Sequence, residues 1–241
     1  MPEPVGFGDQ IVWRPSPEYI RNANLTRFMR VNSIAGFDEL IQRSTSDPAW
    51  FTQALFNFLD IQFYTPYKQI LDTSRGIAWA EWCLGGEMNI IHNCLDKYAN
   101  TPQAEQPALI YESEEGTTRT LTYQELRLQV NQAANALRVL GLGKGDVIGL
   151  FMPMTPEIVI ALLAIAKIGG VILPLFSGFG ANAVASRLAD AEAKALFTAD
   201  GFFRRGAPVA MKAIADEAAA SLPSLKHMIV LNRADLTVNM L

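Results

Sequence analysis

Residues 146–175 read DVIGLFMPMTPEIVIALLAIAKIGGVILPL, and this stretch decides the fold. Asp146-Val147-Ile148-Gly149-Leu150-Phe151 is short and almost wholly apolar, the pattern of a strand covered on both faces. Thr155-Pro156-Glu157 then offers an N-cap residue, a proline at the first helical position and an acid in the first turn, so a helix starts there and runs to about Ile168. Val171-Ile172-Leu173-Pro174-Leu175 is the next apolar strand. Strand, helix and strand at this spacing mean parallel pairing with helices packed on the sheet. The apolar run from 158 to 176 is nearly long enough to cross a bilayer. Lys167, Gly169-Gly170 and Pro174 interrupt it, so a buried helix and strand are expected and no membrane partner.

Downstream the alternation continues, with a helix expected over 183–189, a strand over 195–198, a helix over 209–220 and a strand over 227–231. Upstream, Ala108-Leu109-Ile110-Tyr111-Glu112 and Arg119-Thr120-Leu121-Thr122-Tyr123 flank Glu114-Glu115-Gly116-Thr117, which reads as a β-hairpin. Thr122 with Glu125 forms a capping box. Leu126, Val130, Ala133, Leu137 and Leu140 then recur at the spacing of one buried helical face, and Gly141 ends the helix. The expected class is α/β, doubly wound, with a mostly parallel sheet and helices on both faces.

Residues 1–105 read differently. All four tryptophans (Trp13, Trp50, Trp79, Trp82) and seven of the 13 phenylalanines fall there, without clean strand alternation, which suggests a helical, aromatic-rich extension. Asp47-Pro48 begins its best helix, with an N-cap and a proline at the first position. The expected organisation is therefore an extension over 1–105 and an α/β portion over 106–241.

Composition narrows the function. With 20 basic and 24 acidic residues the formal charge is −4, and no Lys/Arg block occurs, so the footprint of a nucleic-acid binder is missing. Cys83 and Cys94 make no CxxC pair, and His92 and His227 are far apart, so no zinc site is expected. Met1-Pro2-Glu3-Pro4-Val5-Gly6 has neither the charged nor the apolar part of a secretory leader, and a reducing, cytoplasmic location is the default expectation.

Ligands of open parallel sheets sit beyond the carboxyl ends of the strands, so the loops after Phe151, Leu175 and Thr198 are where chemistry belongs. In the first, Thr155 reads as a helix cap. In the second, Phe176-Ser177-Gly178-Phe179-Gly180 lets backbone approach a ligand, or is simply a turn. The third, Asp200-Gly201-Phe202-Phe203-Arg204-Arg205-Gly206, pairs arginine forks suited to phosphate with aromatic surface, though a solvated loop fits it as well. Gly141-Leu142-Gly143-Lys144-Gly145 follows a helix instead of opening one, so it is no dinucleotide fingerprint. Ser177 lies in no nucleophile elbow, and Glu112, Glu114 and Glu115 read as a solvated hairpin tip. No complete catalytic constellation is visible.

Taken in order, several strings resemble the first part of the large domain of the AMP-forming acyl-CoA synthetases. They are Leu121-Thr122-Tyr123-Gln124-Glu125-Leu126, the run from Gly145 to Glu157, Lys167-Ile168-Gly169-Gly170 and Asp190-Ala191-Glu192-Ala193-Lys194. Phe51, Met88-Asn89-Ile90-Ile91-His92-Asn93-Cys94-Leu95-Asp96-Lys97 and the loop from Thr198 to Gly206 are similar to the acetyl-CoA synthetase branch.

That resemblance implies a ligase that uses ATP and Mg²⁺ to form an acyl-adenylate and then passes the acyl group to coenzyme A. It also implies a role for the third loop as a contact to the nucleotide phosphates of CoA, through Arg204, Arg205, Gly206 and Ala207. The branch often has a second basic residue where this chain has Ala207, so half of the clamp is missing or is supplied by Arg205. The family's phosphate loop, its Mg²⁺ segment, its ribose acid and its C-terminal lysine have no counterpart here. The expectation is thus an N-terminal portion of a short-chain synthetase, inactive alone, without a tightly bound cofactor, its small carboxylate partner unspecified and its apolar surface prone to self-association. A stand-alone CoA-binding or nucleotide-binding module, or a regulatory one, is the alternative.

Overall fold

The computed structural model describes residue 11 and residues 13–240; the leader reading of Met1 to Gly6 lies outside them. Contacts divide the chain into two compact units, the first ending at Met88 and the second starting at Asn89.

The first unit contains α1 (Pro17–Asn22), α2 (Asn24–Val31), α3 (Phe37–Ser46) and α4 (Pro48–Phe58), followed by β1 (Gln69–Asp72) and β2 (Glu81–Leu84). The Asp47 carboxylate accepts the Trp50 N–H at 2.9 Å with Pro48 at the first helical position, so α4 starts as its sequence implies. Phe28, Ile34, Leu40 and Ala54 are buried against Phe51, Leu55 and Phe58, and Phe28 meets the rings of Phe51 and Phe58 edge-on at 5.9 and 5.4 Å. The antiparallel ribbon of β1 and β2, in the register Gln69 to Leu84, is a feature the purely helical reading of this region misses.

The second unit begins with α5 (Ile90–Cys94), then β3 (Pro107–Glu112), β4 (Thr118–Thr122) and α6 (Tyr123–Val139). After these come β5 (Val147–Phe151), α7 (Pro156–Lys167), β6 (Val171–Leu175), α8 (Ala181–Asp190) and β7 (Ala195–Ala199). β8 (Gly201–Arg204), β9 (Ala207–Ala210), α9 (Lys212–Ala219) and β10 (His227–Leu231) complete it. Residues 89–105 belong to this unit for physical reasons. Ile91 and Leu95 are buried in its core, the Asn89 side chain donates to the carbonyls of Ala166 and Lys167, and Lys167 pairs with Asp96 at 2.6 Å. Regular punctuation starts only near 106, but packing starts at Asn89.

The central sheet has the order β10-β7-β5-β6 and every pairing in it is parallel. Alternation along β5 splits the core. Ile148 and Leu150 face one layer with α6 and α7, while Val147 and Phe151 face the other with α8 and α9. Gly149 sits on the α8 side, where a Cβ would come within 2.8 Å of side-chain methyls of both Leu188 and Leu196. This is the doubly wound α/β architecture expected from residues 146–175. Among the described residues no helix is long and apolar enough to cross a membrane.

β3 and β4 form the expected hairpin, and the capping box closes as read. The Glu125 N–H donates to Thr122 Oγ1 at 3.2 Å and the Thr122 N–H to Glu125 Oε2 at 2.8 Å. Replacing Thr122 by alanine removes one of these bonds at the start of a 17-residue helix and is expected to cost about 1 kcal/mol. A urea midpoint that does not move would contradict it.

Two local expectations differ from the structure. The helix expected over 209–220 starts at Lys212, because 207–210 are consumed by pairing with 201–204. Thr155 occupies the N-cap position of α7, but its hydroxyl makes no capping bond and is buried without a partner. The Ile158 N–H goes instead to the Thr155 carbonyl.

Candidate functional site

In the central sheet β6 adds to one flank of β5 and β7 to the other. The connections leaving β5 and β7 therefore diverge and open a crevice at the carboxyl ends of the strands, the place where open α/β sheets take ligands. A cavity of about 300 Å³ lies there. Each wall comes from a strand exit. Pro153 to Thr155 follow β5, Ser177 follows β6, Phe202 and Phe203 follow β7, and Arg233 follows β10. Residues 111–115, the end and tip of the β3–β4 hairpin, close the remaining side.

The segment that carries the arginines is not a free loop. β8 and β9 pair from Gly201 with Ala210 to Arg204 with Ala207, leaving Arg205-Gly206 as a two-residue turn. Both turn residues have positive φ, 54° and 75°, which is the backbone that twists a tight hairpin correctly and that glycine adopts without strain. Arg204, Arg205, Gly206 and Ala207 are all exposed, and the structure brings the four together at this hairpin end. Neither Arg204 nor Arg205 has an ion-pair partner among the described residues. The Gly206 N–H donates to Glu114 Oε1 at 2.9 Å, so the acidic tip of the β3–β4 hairpin touches the arginine-bearing turn.

Behind the turn, Asp200 anchors the site. It is 1% exposed, and its carboxylate accepts the backbone N–H groups of Gly201, Arg233, Ala234 and Leu236 at 2.7–3.1 Å. Burial pushes its pKa up. The N–H groups of Arg233, Leu236, Ala234 and Gly201 outweigh burial and hold the acid below the ordinary aspartate value. The bonds to Arg233, Ala234 and Leu236 fix the course of the chain after β10.

Arg233, which the sequence reading did not single out, is placed by that anchor. Its Nη2 lies 3.4 Å from the Tyr111 hydroxyl and 3.0 Å from Glu115 Oε2, and its guanidinium carbon is 5.5 Å from the centre of the Phe203 ring. The Tyr111 hydroxyl, and after it Glu115, raise the pKa of the guanidinium against the opposing effect of burial. Applying the strand-exit rule to β10 as well as to the three earlier strands would have found it. The expected solvated tip of Glu112, Glu114 and Glu115 is in fact part of the cavity wall. Ser177 also lines the cavity, and no histidine does. Among the described residues no group of three His, Cys, Asp or Glu side chains is placed to hold a metal ion.

Comparison with known proteins gives the family of the chain. The family model for AMP-binding enzyme matches residues 95–240, and the model for acetyl-coenzyme A synthetase N-terminus matches residues 37–94. The acetyl-coenzyme A synthetase of Mycobacterium tuberculosis (strain CDC 1551 / Oshkosh) is 44% identical over 179 residues, covering 73% of this chain and 27% of that protein. The 3-hydroxypropionyl-coenzyme A synthetase of Metallosphaera sedula is 39% identical over 207 residues, covering 85% of this chain and 31% of that protein. Among solved structures, acetoacetyl-CoA synthetase from Streptomyces lividans matches with a TM-score of 0.85 at 30% identity, over 95% of this chain and 36% of that chain. The chain thus spans roughly a quarter to a third of the length of these relatives.

Proposed function

The chain belongs to the AMP-binding enzyme family, and on that premise we propose that it supplies the N-terminal portion of an ATP-dependent, AMP-forming short-chain acyl-CoA synthetase. The reaction is carboxylate, ATP and CoA to acyl-CoA, AMP and pyrophosphate. The observation that carries this reading is the uninterrupted succession of the two family matches, 37–94 and then 95–240, on one chain. In this proposal residues 1–105 are the extension, of which 89–105 pack with the second unit, and 106–241 are the first α/β portion of the large domain. The chain does not adenylate a carboxylate unaided.

The contribution of the chain is part of the CoA site. Arg204 and Arg205 stand on a two-strand hairpin, neither guanidinium is paired with a carboxylate among the described residues, and guanidinium forks hold phosphate oxygens in pairs. The N–H of Gly206, which now donates to Glu114, is a further donor in the same turn, and Ala207 begins the returning strand with only a methyl side chain. Phe202 and Phe203 offer aromatic faces in the adjoining cavity.

Calorimetry of the chain with CoA and with 3′-dephospho-CoA tests the clamp. CoA is expected to bind more tightly than the dephospho form, and Arg204→Ala to weaken CoA by about tenfold, the loss of one charge-assisted contact. Equal affinity for the two ligands would remove the phosphate role of Arg204. Pyrophosphate release from ATP with acetate, propionate or butyrate should be absent for the chain alone; sustained turnover would defeat this division of labour.

A further inference from the structure

We propose that Arg233 is an additional anion-binding residue of the cavity at the strand ends, and that Glu115 and Glu114 are internal counter-ions which an incoming phosphate ester displaces. This deepens the reading of the cavity as a CoA site and rests on it.

Three observations carry the inference. First, Arg233 is positioned as a ligand contact is. It leaves the carboxyl end of a central-sheet strand, its own backbone N–H is locked to buried Asp200 at 2.8 Å, and it lines the cavity over Phe203. Second, what it now faces is carboxylate on a loop tip. Glu115 belongs to the 113–117 connection of the β3–β4 hairpin and reaches Arg233 across 118 residues of sequence, and both side chains are only about a quarter to a third exposed (25% and 32%). Third, the neighbouring glutamate does the same at the other donor. Glu114 accepts the Gly206 N–H at 2.9 Å, the backbone group that the arginine-bearing turn presents. One acidic tip therefore supplies an oxygen to each of two separate anion-seeking groups, as the oxygens of a bound phosphate would. Tip and ligand compete for the same donors, and the cost of uncovering the cations is built into every binding event.

A structural role for the tip predicts the opposite sign. If Glu115 only braced Arg233 for a ligand bound elsewhere, its loss would loosen the site and weaken binding.

The test is calorimetry with CoA on wild type, Glu115→Gln, Arg233→Ala and the double variant, with Arg204→Ala as reference. Glutamine keeps the size of the side chain and removes only its charge. Glu115→Gln is expected to tighten CoA about threefold to tenfold, Arg233→Ala to weaken it about tenfold, and Glu115→Gln to gain less than about twofold in the Arg233→Ala background. Glu114→Gln should tighten binding with Arg233 intact or absent, since its donor is Gly206. Unchanged or weaker binding in Glu115→Gln, with Arg204→Ala still harmful, overturns the exchange and leaves the CoA assignment standing. Failure of CoA to bind wild type and Glu115→Gln alike overturns both. A merely misfolded Arg233→Ala would lose its circular dichroism, and Arg233→Lys, which keeps the charge, would then be read in its place.

Discussion

Asp200→Ala is expected to destabilise the second unit by about 3–5 kcal/mol, a larger effect than that of any other substitution proposed for this chain. The carboxylate is buried and its oxygens accept four backbone N–H groups, from Gly201, Arg233, Ala234 and Leu236. Alanine leaves those donors without their acceptor, and each buried, unsatisfied donor costs about 1–3 kcal/mol, partly recovered where the 233–236 segment can turn to water. Asp200→Asn keeps one acceptor oxygen but points an amide N–H at a cage of donors, so it should fall between wild type and alanine. The pH dependence has a definite sign. The folded-state pKa lies below the ordinary value of 3.8, so the stabilisation is present in full above the unfolded value and is lost as pH falls below about 4 and through the folded pKa. Urea unfolding followed by far-ultraviolet dichroism should show wild type approaching Asp200→Asn in stability as pH drops toward 3. Equal midpoints at pH 7 would show that the cage contributes nothing.

Gly149→Val should cost about 3 kcal/mol. Two effects oppose each other. Glycine inside a strand weakens it, and a β-branched residue would recover up to about 1 kcal/mol of backbone and strand preference. Against this, a Cβ alone meets Leu188 and Leu196 methyls at 2.8 Å, and both leucines are completely buried between the sheet and α8. Valine adds two further methyl groups to a closed layer, and overpacking of this kind costs about 1–3 kcal/mol or more. Alanine should lose about 1 kcal/mol, because the strand gain offsets part of a smaller clash. A fall in melting temperature that grows from alanine to valine checks the order; a valine variant as stable as wild type would mean that α8 moves away from the sheet freely.

The parallel sheet was legible because its signals are local and redundant. In β5 and β6 doubly apolar runs, the Thr155-Pro156 start and the glycines after α7 all agree, so no long-range information was needed. The β8–β9 hairpin was harder to see. Its turn is Arg205-Gly206, and arginine at a positive φ is not a residue that advertises such a turn, so Val209 and Ala210 read as the start of a helix. The β1–β2 ribbon escaped for a related reason: four-residue strands with Trp82 and Cys83 side by side show no period of two. Arg204, Arg205, Gly206 and Ala207 could be proposed as a CoA contact from the resemblance that the order of the motifs carries. Arg233 and the glutamate tip were not, because their meeting is created by tertiary placement across 118 residues. Thr155 shows the limit from the other side, a residue with every sequence mark of a cap whose hydroxyl does not cap.

The unequal distribution of aromatic residues also determines how this protein can be observed. All four tryptophans precede Met88, so every indole lies in the first unit, while the second unit carries tyrosine and phenylalanine alone. Emission excited at the red edge of indole absorption consequently originates in the first unit alone. Dichroism sees both units at once. Recorded together during one melt, the two signals separate the units optically without any label, and their coincidence or divergence measures how tightly the two halves of the chain are coupled.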